Sequence, residues 1–479
     1  MKTKETLLSR SLLLGVATGV SKAAVFLLMP LYTAYLTPAA FGAADIIAGT
    51  AVLLLPFVSF NAPEAVFRFR AGGDREKQVF SCGVLMLTGG MVVLLLLMPF
   101  TALLPVLETY RIYLFFYVLA SVARSFLAHW VRAEGNYTLY AVQQVFCTFS
   151  TVALLVLFLP VLRLGTGGYL AATVTADALT AAILLLYLRP WRYFAFTAVK
   201  KEPLFAMLRY ALPLMPTTVL WWVTSVSDRY IILHYHGENV MGLYAAAGRI
   251  PSVLTFGVAA FLEVWHYTAV RAGEGERSRL FDRVYALLLP VLTAVSAFLV
   301  LFARSITGLL FAADYADAAR YVPILTVGSL FSALSAYLGS IYTVRLNSVA
   351  SLLTALFGAA LNVLLNLWWI PRGGAMAAAL ATAVSYLAMF LLRVFHSRRG
   401  MAFDPRLLKL TAAAALLSLT AFLSLRGPDP VLLLLGAAAL APFAAEIRTG
   451  LAVLFDMAAR FFRRQKGVDR GQNRFFGTK

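Results

Sequence analysis

Five of the ionisable residues in the apolar segments of this chain could together form an anion-binding site or ion pairs between helices. Three are basic, Lys22, Arg229 and Arg249, and two are acidic, Asp45 and Asp228. A charged side chain inside an apolar span costs several kcal/mol, so each is expected to face a cavity or a partner of opposite charge. Guanidinium groups bind phosphate bidentately, and an ammonium group binds it as a point charge. The five residues therefore predict either a positively charged binding cavity or ion pairs that hold helices together.

Lys22 ends a stripe of small and polar residues in the first apolar segment. The stripe has the spacing of one helix face and consists of Ser11, Gly15, Thr18 and Lys22. A helix that begins near residue 9 carries Lys22 roughly 20 Å inward, close to the middle of a bilayer. Lys22 is therefore predicted to face a cavity that receives an anion. The alternative is an ion pair between Lys22 and Asp45.

The stretch YALPLMPTTVLWWVTSVSDRY, residues 210–230, is too polar on one side to face lipid along its whole length. Pro213 and Pro216 can bend its start and free backbone carbonyls, which is tolerated where a helix lines a cavity. Trp221 and Trp222 lie near the middle of this span. At least one indole ring is predicted to stack on a sugar, and the alternative is packing between helices.

Arg249, Arg124 and Asp177 each allow more than one arrangement. Arg249 either pairs with Asp228 or joins the other cations in a positive cavity, where it would bind phosphate. Arg124 and Asp177 lie close enough to predicted helix ends that anchoring or local pairing is favoured.

The composition requires that these residues be held by membrane-spanning helices. Hydrophobic residues make up 61% of the 479 residues, charged residues only 13%, and the mean hydropathy is +0.81. A soluble domain is about a quarter charged. The apolar runs lack the alternation of a β-barrel, so helices must satisfy the backbone hydrogen bonds in lipid. The predicted fold class is an all-α integral membrane protein.

About fourteen spans are predicted, in an arrangement of six, six and two. They cover residues 9–36, 40–63, 79–104, 111–131, 139–163, 166–188, 207–233, 240–268, 282–304, 320–342, 349–370, 374–395, 407–425 and 430–452. The corresponding domains are a first lobe at 1–190, a linker at 191–206, a second lobe at 207–396, the last two spans at 397–454 and a basic tail at 455–479. A faint repeat at an offset of 200 aligns FGAADIIAG, residues 41–49, with MGLYAAAGR, residues 241–249.

The distribution of basic residues predicts the orientation. Of the 41 Lys and Arg residues, 31 lie in the loops and termini of one side and six in the loops of the other. This asymmetry predicts that both termini are cytoplasmic. The basic tail is expected to bind anionic membrane lipids, not nucleic acid.

Motifs of soluble enzymes are missing from the sequence. It has no Walker-type glycine loop, no His-Glu metal helix and no nucleophile elbow. The two cysteines, Cys82 and Cys147, fall in apolar runs and indicate neither a disulfide framework nor a metal site. The chain is therefore predicted to be neither an enzyme nor a cofactor-binding protein, and an ion gradient, the membrane potential or substrate supply would have to drive its work.

The stretch SDRYIILHYHGENVMGLYAAAGRIPSVL, residues 227–254, resembles the centre of polysaccharide and O-antigen flippases of the Wzx type. These belong to the multidrug, oligosaccharidyl-lipid and polysaccharide exporter superfamily. In that family an Asp-Arg pair ends span seven and a Gly-hydrophobic-Tyr-small-Ala pattern opens span eight, and residues 228–229 and 242–246 take those places. The stretch MPLYTAYLTPAAFGAADI, residues 29–46, is similar to the first hairpin of the family.

The resemblance implies two six-helix lobes in a V, two peripheral helices and alternating access between leaflets. It also implies a bacterial cytoplasmic membrane protein, expected to be monomeric, whose partner is an undecaprenyl-diphosphate-linked oligosaccharide. In that interpretation Lys22, Arg249 and Arg229 neutralise the diphosphate, Trp221 and Tyr244 contact sugar or lipid, and Asp45 and Asp228 serve in ion pairs or in coupling.

Three other functions remain open at this point. Lipid II flippases of the MurJ type use several basic residues in the first span, where this chain has one, Lys22. A small-molecule antiporter on the same scaffold would depend on an acidic residue in a cavity. A membrane enzyme, such as a polysaccharide polymerase or ligase, would need a large external loop.

Overall fold

The computed structural model describes residues 2–70, 75–271, 274–345, 347–398, 404–424, 430–446 and 448. Within these ranges the chain forms helices joined by turns, without β-strands. The predicted all-helical membrane architecture is confirmed. The predicted basic tail, residues 455–479, lies outside the described ranges.

The first half of the chain contains nine α-helices in its described residues. They are α1 (Lys2–Leu27), α2 (Met29–Tyr35), α3 (Pro38–Ser59), α4 (Ala62–Arg70), α5 (Glu76–Leu97), α6 (Pro105–Thr109), α7 (Arg111–Ala133), α8 (Tyr137–Val156) and α9 (Gly165–Leu188). A 3-10 segment, Met98–Leu103, extends α5, and a π-helical turn, Leu157–Val161, extends α8.

The second half and the C-terminal part contain nine more α-helices in the described residues. They are α10 (Lys201–Ala211), α11 (Met215–Arg249), α12 (Ser252–Arg271), α13 (Glu274–Leu301), α14 (Ala303–Leu310), α15 (Val322–Val344), α16 (Ser348–Arg398), α17 (Leu407–Ser424) and α18 (Pro430–Ala438). Short 3-10 turns cover Pro190–Arg192, Phe196–Ala198, Leu212–Leu214, Ala313–Arg320 and Ala441–Phe443.

Eleven helices in the described residues are long and apolar enough to cross a membrane, and two shorter apolar helices cover Ser252–His266 and Val431–Glu446. Two of the long ones, Lys201–Arg249 and Ser348–Arg398, contain a glycine in a backbone conformation that is not helical. Gly237 has φ 82° and Gly374 has φ 59°, a region that side chains with a Cβ disfavour. In α16 the turn at Gly374 joins two spans, whereas in α11 the turn at Gly237 joins a span to the shorter helical part 238–249, which α12 follows after Pro251.

The two halves meet where the faint sequence repeat predicts equivalent positions. Gly42 of α3 and Gly242 of α11 lie against each other, and a Cβ on Gly42 would be 2.9 Å from the Cα of Gly242. A Cβ on Gly242 would be 1.7 Å from the carbonyl oxygen of Pro38, which leaves no room for any other residue type. We call this end of the bundle, where the chain turns at Thr37, Gly237 and Gly374, the turn end.

Aromatic packing closes the turn end across the two halves. The hydroxyl of Tyr315 donates to the carbonyl oxygen of Leu36 at 2.8 Å, and its ring lies edge-on to Phe41 at a centroid distance of 6.4 Å. All three side chains belong to the largest cluster of buried apolar residues, which extends from the first half into the second. The core therefore couples the halves here.

The segment before α11 packs on the first half of the chain. Met207 and Ala211 of α10 are fully buried in a cluster with first-half residues such as Val66 and Phe80. The 3-10 turn Leu212–Leu214, which contains the first of the two prolines noted in the sequence, separates α10 from α11. A proline removes a backbone donor and bends a helix, so the break between the two packing environments falls at these prolines.

Candidate functional site

A cavity of about 370 Å³ lies between α1, α11, α12, α15 and the second span of α16. Among the described residues that line it, Lys22 is the contribution of the first half. Both charged and polar groups reach its wall, which predicts a site for a polar or ionic ligand. The residues used below are Lys22, Trp221, Asp228, Arg229, Tyr244, Phe256, Thr382 and Tyr386.

Lys22 points into this cavity. α1 packs on α12 at Gly15, where a Cβ would lie 3.4 Å from the carbonyl oxygen of Ala260. The Nζ atom of Lys22 lies 4.6 Å from the centroid of the Phe256 ring, and the side chain is exposed. Among the described residues no carboxylate pairs with it. The ring contact does not use the N–H donors of an ammonium group as a carboxylate would, so they can reach a ligand.

Asp45 binds both arginines of the site. The Nη1 atom of Arg229 donates to Oδ2 of Asp45, and the Nη2 atom of Arg249 donates to Oδ1 at 2.7 Å. Asp45 is only 3% exposed, whereas both arginines are partly exposed. One carboxylate thus offsets two guanidinium groups, and the three residues keep a net positive charge.

This arrangement decides between the alternatives that the sequence left open. Lys22 does not pair with Asp45, because that carboxylate is taken by the two arginines. Arg249 pairs with Asp45 of α3 and not with Asp228. Arg249 and Asp45 are also not among the residues that line the cavity, whereas Arg229 is.

Asp228 is buried among hydrogen-bond donors without a basic side chain in salt-bridge distance in the described structure. It accepts from the Tyr244 hydroxyl at 2.5 Å, from the backbone N–H of Arg229 at 2.9 Å and from the Thr382 hydroxyl at 3.5 Å. Asn362 in turn donates to Thr382 at 3.5 Å. Asp228 therefore links the two parts of α11, before and after Gly237, with α16, and the Tyr244 hydroxyl holds this carboxylate.

The adjacent tryptophans have opposite environments. Trp221 is 66% exposed and lies on the cavity wall, whereas Trp222 is 9% exposed and donates from Nε1 to the carbonyl oxygen of Gly49 at 2.7 Å. Successive residues of a helix point about 100° apart, so one ring faces the cavity and the next packs against α3. Tyr230, two turns further on, also reaches α3, with its hydroxyl 2.6 Å from that of Thr50.

Arg124 and Asp177 form a separate ion pair inside the first half. The Nε atom of Arg124 lies 2.7 Å from Oδ1 of Asp177, near the middle of α7 and α9. Asp177 also accepts from the Ser121 hydroxyl and, at 3.2 Å, from the thiol of Cys147. This carboxylate is saturated by its neighbours, and it does not line the cavity.

The structure brings most of the predicted residues together and adds some that the sequence analysis did not name. Phe256, Thr382 and Tyr386 line the cavity beside Lys22. Thr382 and Tyr386 are four residues apart in an alanine-rich span, a spacing that places two polar side chains on one helix face. That pattern is a signal available in the sequence, whereas the placement of Phe256 under Lys22 depends on how α1 packs on α12.

Comparisons with known proteins agree with this architecture. A family described as polysaccharide biosynthesis protein matches residues 7–266. The fold is similar to that of a lipid II flippase MurJ in an inward closed conformation, with 13% identity, a TM-score of 0.67 and coverage of 93% of this chain and 100% of that one. It is also similar to an inward-facing multidrug resistance MATE family transporter of the MOP superfamily, with 16% identity, a TM-score of 0.58 and coverage of 81% and 93%.

A third solved structure, a MATE transporter from Vibrio cholerae, has 14% identity and a TM-score of 0.54, with coverage of 83% of this chain and 99% of that one. No curated protein matches the chain significantly. At these identities the solved structures establish a shared two-lobe fold.

Proposed function

Because the chain belongs to the polysaccharide biosynthesis protein family, we propose that it is a flippase for a lipid-linked oligosaccharide. It moves an undecaprenyl-diphosphate-linked oligosaccharide from the inner to the outer leaflet of a bacterial cytoplasmic membrane by alternating access, for the synthesis of a cell-surface polysaccharide. In this proposal the termini are cytoplasmic, the basic tail binds anionic lipid, and the protein acts as a monomer without a cofactor and without covalent catalysis.

The observation that carries the proposal is the position of the Lys22 ammonium group and its lack of a carboxylate partner among the described residues. This group lies in the cavity. A diphosphate is expensive to move through hydrocarbon unless opposite charges and hydrogen bonds compensate it. Lys22 and Arg229 on the same cavity supply that compensation, since charge-assisted hydrogen bonds to phosphate oxygens are the strong ones.

Arg249 and Asp45 do not line the cavity, but they determine how far the charge of Arg229 is offset. Because Arg249 shares Asp45 with Arg229, the carboxylate is only partly available to offset Arg229, and the cavity remains favourable for an anion. Trp221 is the exposed ring that contacts sugar or lipid. Tyr244 lines the cavity, but its hydroxyl donates to Asp228, so in this proposal it acts mainly by holding that carboxylate.

Coupling to an ion gradient or the membrane potential would use Asp228. Asp45 is engaged by two guanidinium groups, whereas Asp228 has neutral donors and a backbone N–H around it. A carboxylate in such surroundings can take up a cation without first breaking a salt bridge. Its position on the cavity wall would let cation binding and cargo binding influence each other.

A reconstitution experiment tests the proposal. Proteoliposomes are loaded in one leaflet with a fluorescent undecaprenyl-diphosphate-linked oligosaccharide, and protein-dependent appearance in the other leaflet is measured for the wild type and for Lys22→Ala. We expect transfer by the wild type and a large loss in Lys22→Ala. Equal transfer in both proteins would remove the cavity cation from the mechanism.

Parallel cargoes separate the alternatives. Lipid II replaces the oligosaccharide lipid in one set of vesicles, and a cationic dye under an imposed ion gradient is used in another. Preferential transfer of lipid II would assign the protein to peptidoglycan precursors, and dye efflux that survives Lys22→Ala would make it a small-molecule antiporter. Neutralising Asp45 does not discriminate between these functions, because its loss would disturb both arginines whatever the cargo.

A further inference from the structure

The segment between the halves is held firmly against the first half. After α9 the chain reverses at Arg189, which has φ 48°, and then follows the surface of α5 and α7. The backbone N–H of Ala195 donates to the hydroxyl of Ser81 at 3.0 Å, and the hydroxyl of Tyr193 donates to Oε1 of Glu134 at 3.3 Å. Partial burial and the neighbouring Glu134 carboxylate raise the pKa of Tyr193, so this donor stays protonated.

The exposed side chains of this segment are aromatic and basic. Trp191 is 63% exposed and Phe196 is 83% exposed, although both are large apolar side chains. The sequence contains no acidic residue between Asp177 and Glu202. Four exposed cations accompany the rings, and among the described residues they form no ion pair: Arg189, Arg192, Lys200 and Lys201.

An apolar groove of about 310 Å³ opens beside these residues. Its wall is formed by side chains of α5, α7 and α9, such as Leu87 and Phe126, and is completed by Pro190 and Trp191 of the segment itself. Arg189 and Arg192 flank those two residues in the chain. The arrangement combines a slot for a hydrocarbon chain with two guanidinium groups at the end of a membrane-spanning helix.

We propose that this groove is a binding site for an anionic glycerophospholipid, with one acyl chain in the groove and the headgroup phosphate on Arg189 and Arg192. α9 is 24 residues long and therefore spans about 36 Å, so Arg189 lies at the membrane surface. Tryptophan rings favour that interface, and basic residues there attract anionic lipids. The site differs from the basic tail and from the cavity, and it does not depend on the proposed function.

Charge complementarity favours an anionic over a zwitterionic lipid. A zwitterionic headgroup presents its own cation to the four basic side chains, whereas a phosphatidylglycerol headgroup presents only its phosphate charge. Because Tyr193 and Ala195 fix the segment to the first half, a lipid bound here would stabilise this half at the start of the connection to α11.

Native mass spectrometry of the full-length protein tests the assignment. The protein is incubated with equal amounts of phosphatidylglycerol and phosphatidylcholine, and the retained lipids are counted. We expect the wild type to retain about tenfold more phosphatidylglycerol than phosphatidylcholine. In the double variant Arg189→Gln, Arg192→Gln this ratio should fall by a factor of about five. The variant Arg189→Lys, Arg192→Lys keeps both charges and should keep most of the preference.

A matched control removes two positive charges at the turn end, Arg111→Gln with Arg372→Gln, and should leave the preference unchanged. All variants retain the basic tail, so its contribution cancels. An unchanged preference in Arg189→Gln, Arg192→Gln would overturn the site, and an equal loss in the control would reduce the effect to net charge and overturn it as well. Transport is not measured, so failure of the flippase proposal leaves this result interpretable.

Discussion

Two groups of charged side chains lie inside the helical bundle, and they differ in how completely they are matched. Arg124 and Asp177 pair within the first half, and Asp177 has further donors in Ser121 and Cys147. The group between the halves has three cations, Lys22, Arg229 and Arg249, for the two carboxylates Asp45 and Asp228. The charges of the first group offset each other, whereas the second group has a cation, Lys22, that lies in a cavity.

The difference shows how a buried charge can be assigned a role. A matched pair in the interior orders helices but offers nothing to a ligand, and its net contribution to stability is small. An unmatched cation on a cavity wall retains its capacity to bind an anion. Both kinds of residue look alike in the sequence, where each is a single charge in an apolar segment, and only the count of partners in space separates them.

The strongest test of this contrast is Asp45→Asn. It leaves two guanidinium groups side by side without their shared carboxylate, and breaking a buried ion pair costs about 3–5 kcal/mol. Since Arg229 and Arg249 are partly exposed, we expect a loss of about 2 kcal/mol. Transport in proteoliposomes should be abolished and the unfolding temperature in detergent lowered, whereas Asp45→Glu should keep part of both. Wild-type transport by Asp45→Asn would show that the bridge has no role.

Lys22→Ala should affect transport without affecting stability. Its ammonium group has no carboxylate partner in the described structure, and a hydrogen bond to a charged ligand contributes about 1.5–3 kcal/mol, which corresponds to a slowing of roughly 10- to 100-fold. The unfolding temperature should stay within error of the wild type. Lys22→Arg keeps the charge and should retain most of the rate, so equal losses in both variants would argue for a steric effect.

The two tryptophans give a smaller and internally controlled effect. Trp221→Ala removes an exposed ring from the cavity wall and should raise the apparent KM about fivefold, since ring stacking contributes about 1 kcal/mol. Trp222→Ala removes a buried ring that donates to Gly49 and should instead lower stability by about 3 kcal/mol. Concentration-dependent transport and thermal unfolding distinguish the two, and a reversed pattern would contradict the assignment of the rings.

Asp177→Asn should have the smallest effect on transport. It leaves Arg124 without its carboxylate and is expected to destabilise the first half by about 2 kcal/mol, allowing for the partial exposure of Arg124. The transport rate per folded molecule should equal that of the wild type, because neither residue lines the cavity. A specific loss of transport at unchanged folded fraction would show that this pair, too, takes part in the cycle.

Features that depend on local geometry could be predicted from the sequence. The stripe of small residues in the first predicted span marks the face of α1 on which Gly15 meets α12. Gly237 falls between the predicted spans 207–233 and 240–268, and Gly374 is the first residue of the predicted span 374–395. Glycine tolerates the positive φ that a tight reversal requires. In each case the sequence within a few residues determines the structure.

Features that depend on which helices touch could not be predicted. The sequence offered Asp228 as the partner of Arg249, but the partner is Asp45, because α3 lies against α11. α10 is another case, since Met207 and Ala211 lie in the predicted span 207–233, and they are buried against the first half. Helix pairing is set by the shape of whole surfaces, which a single sequence does not reveal.

The contact between Gly42 and Gly242 has a mechanical consequence. At this point the backbone of α3 lies directly against the backbone of α11 at Pro38 and Gly242, beside the Met241 side chain. Close contact between two backbones excludes water as well as interdigitating side chains do. Fewer side chains have to leave a pocket when such a contact separates. An interface of this kind between two halves can therefore be impermeable to water when it is closed and still open quickly.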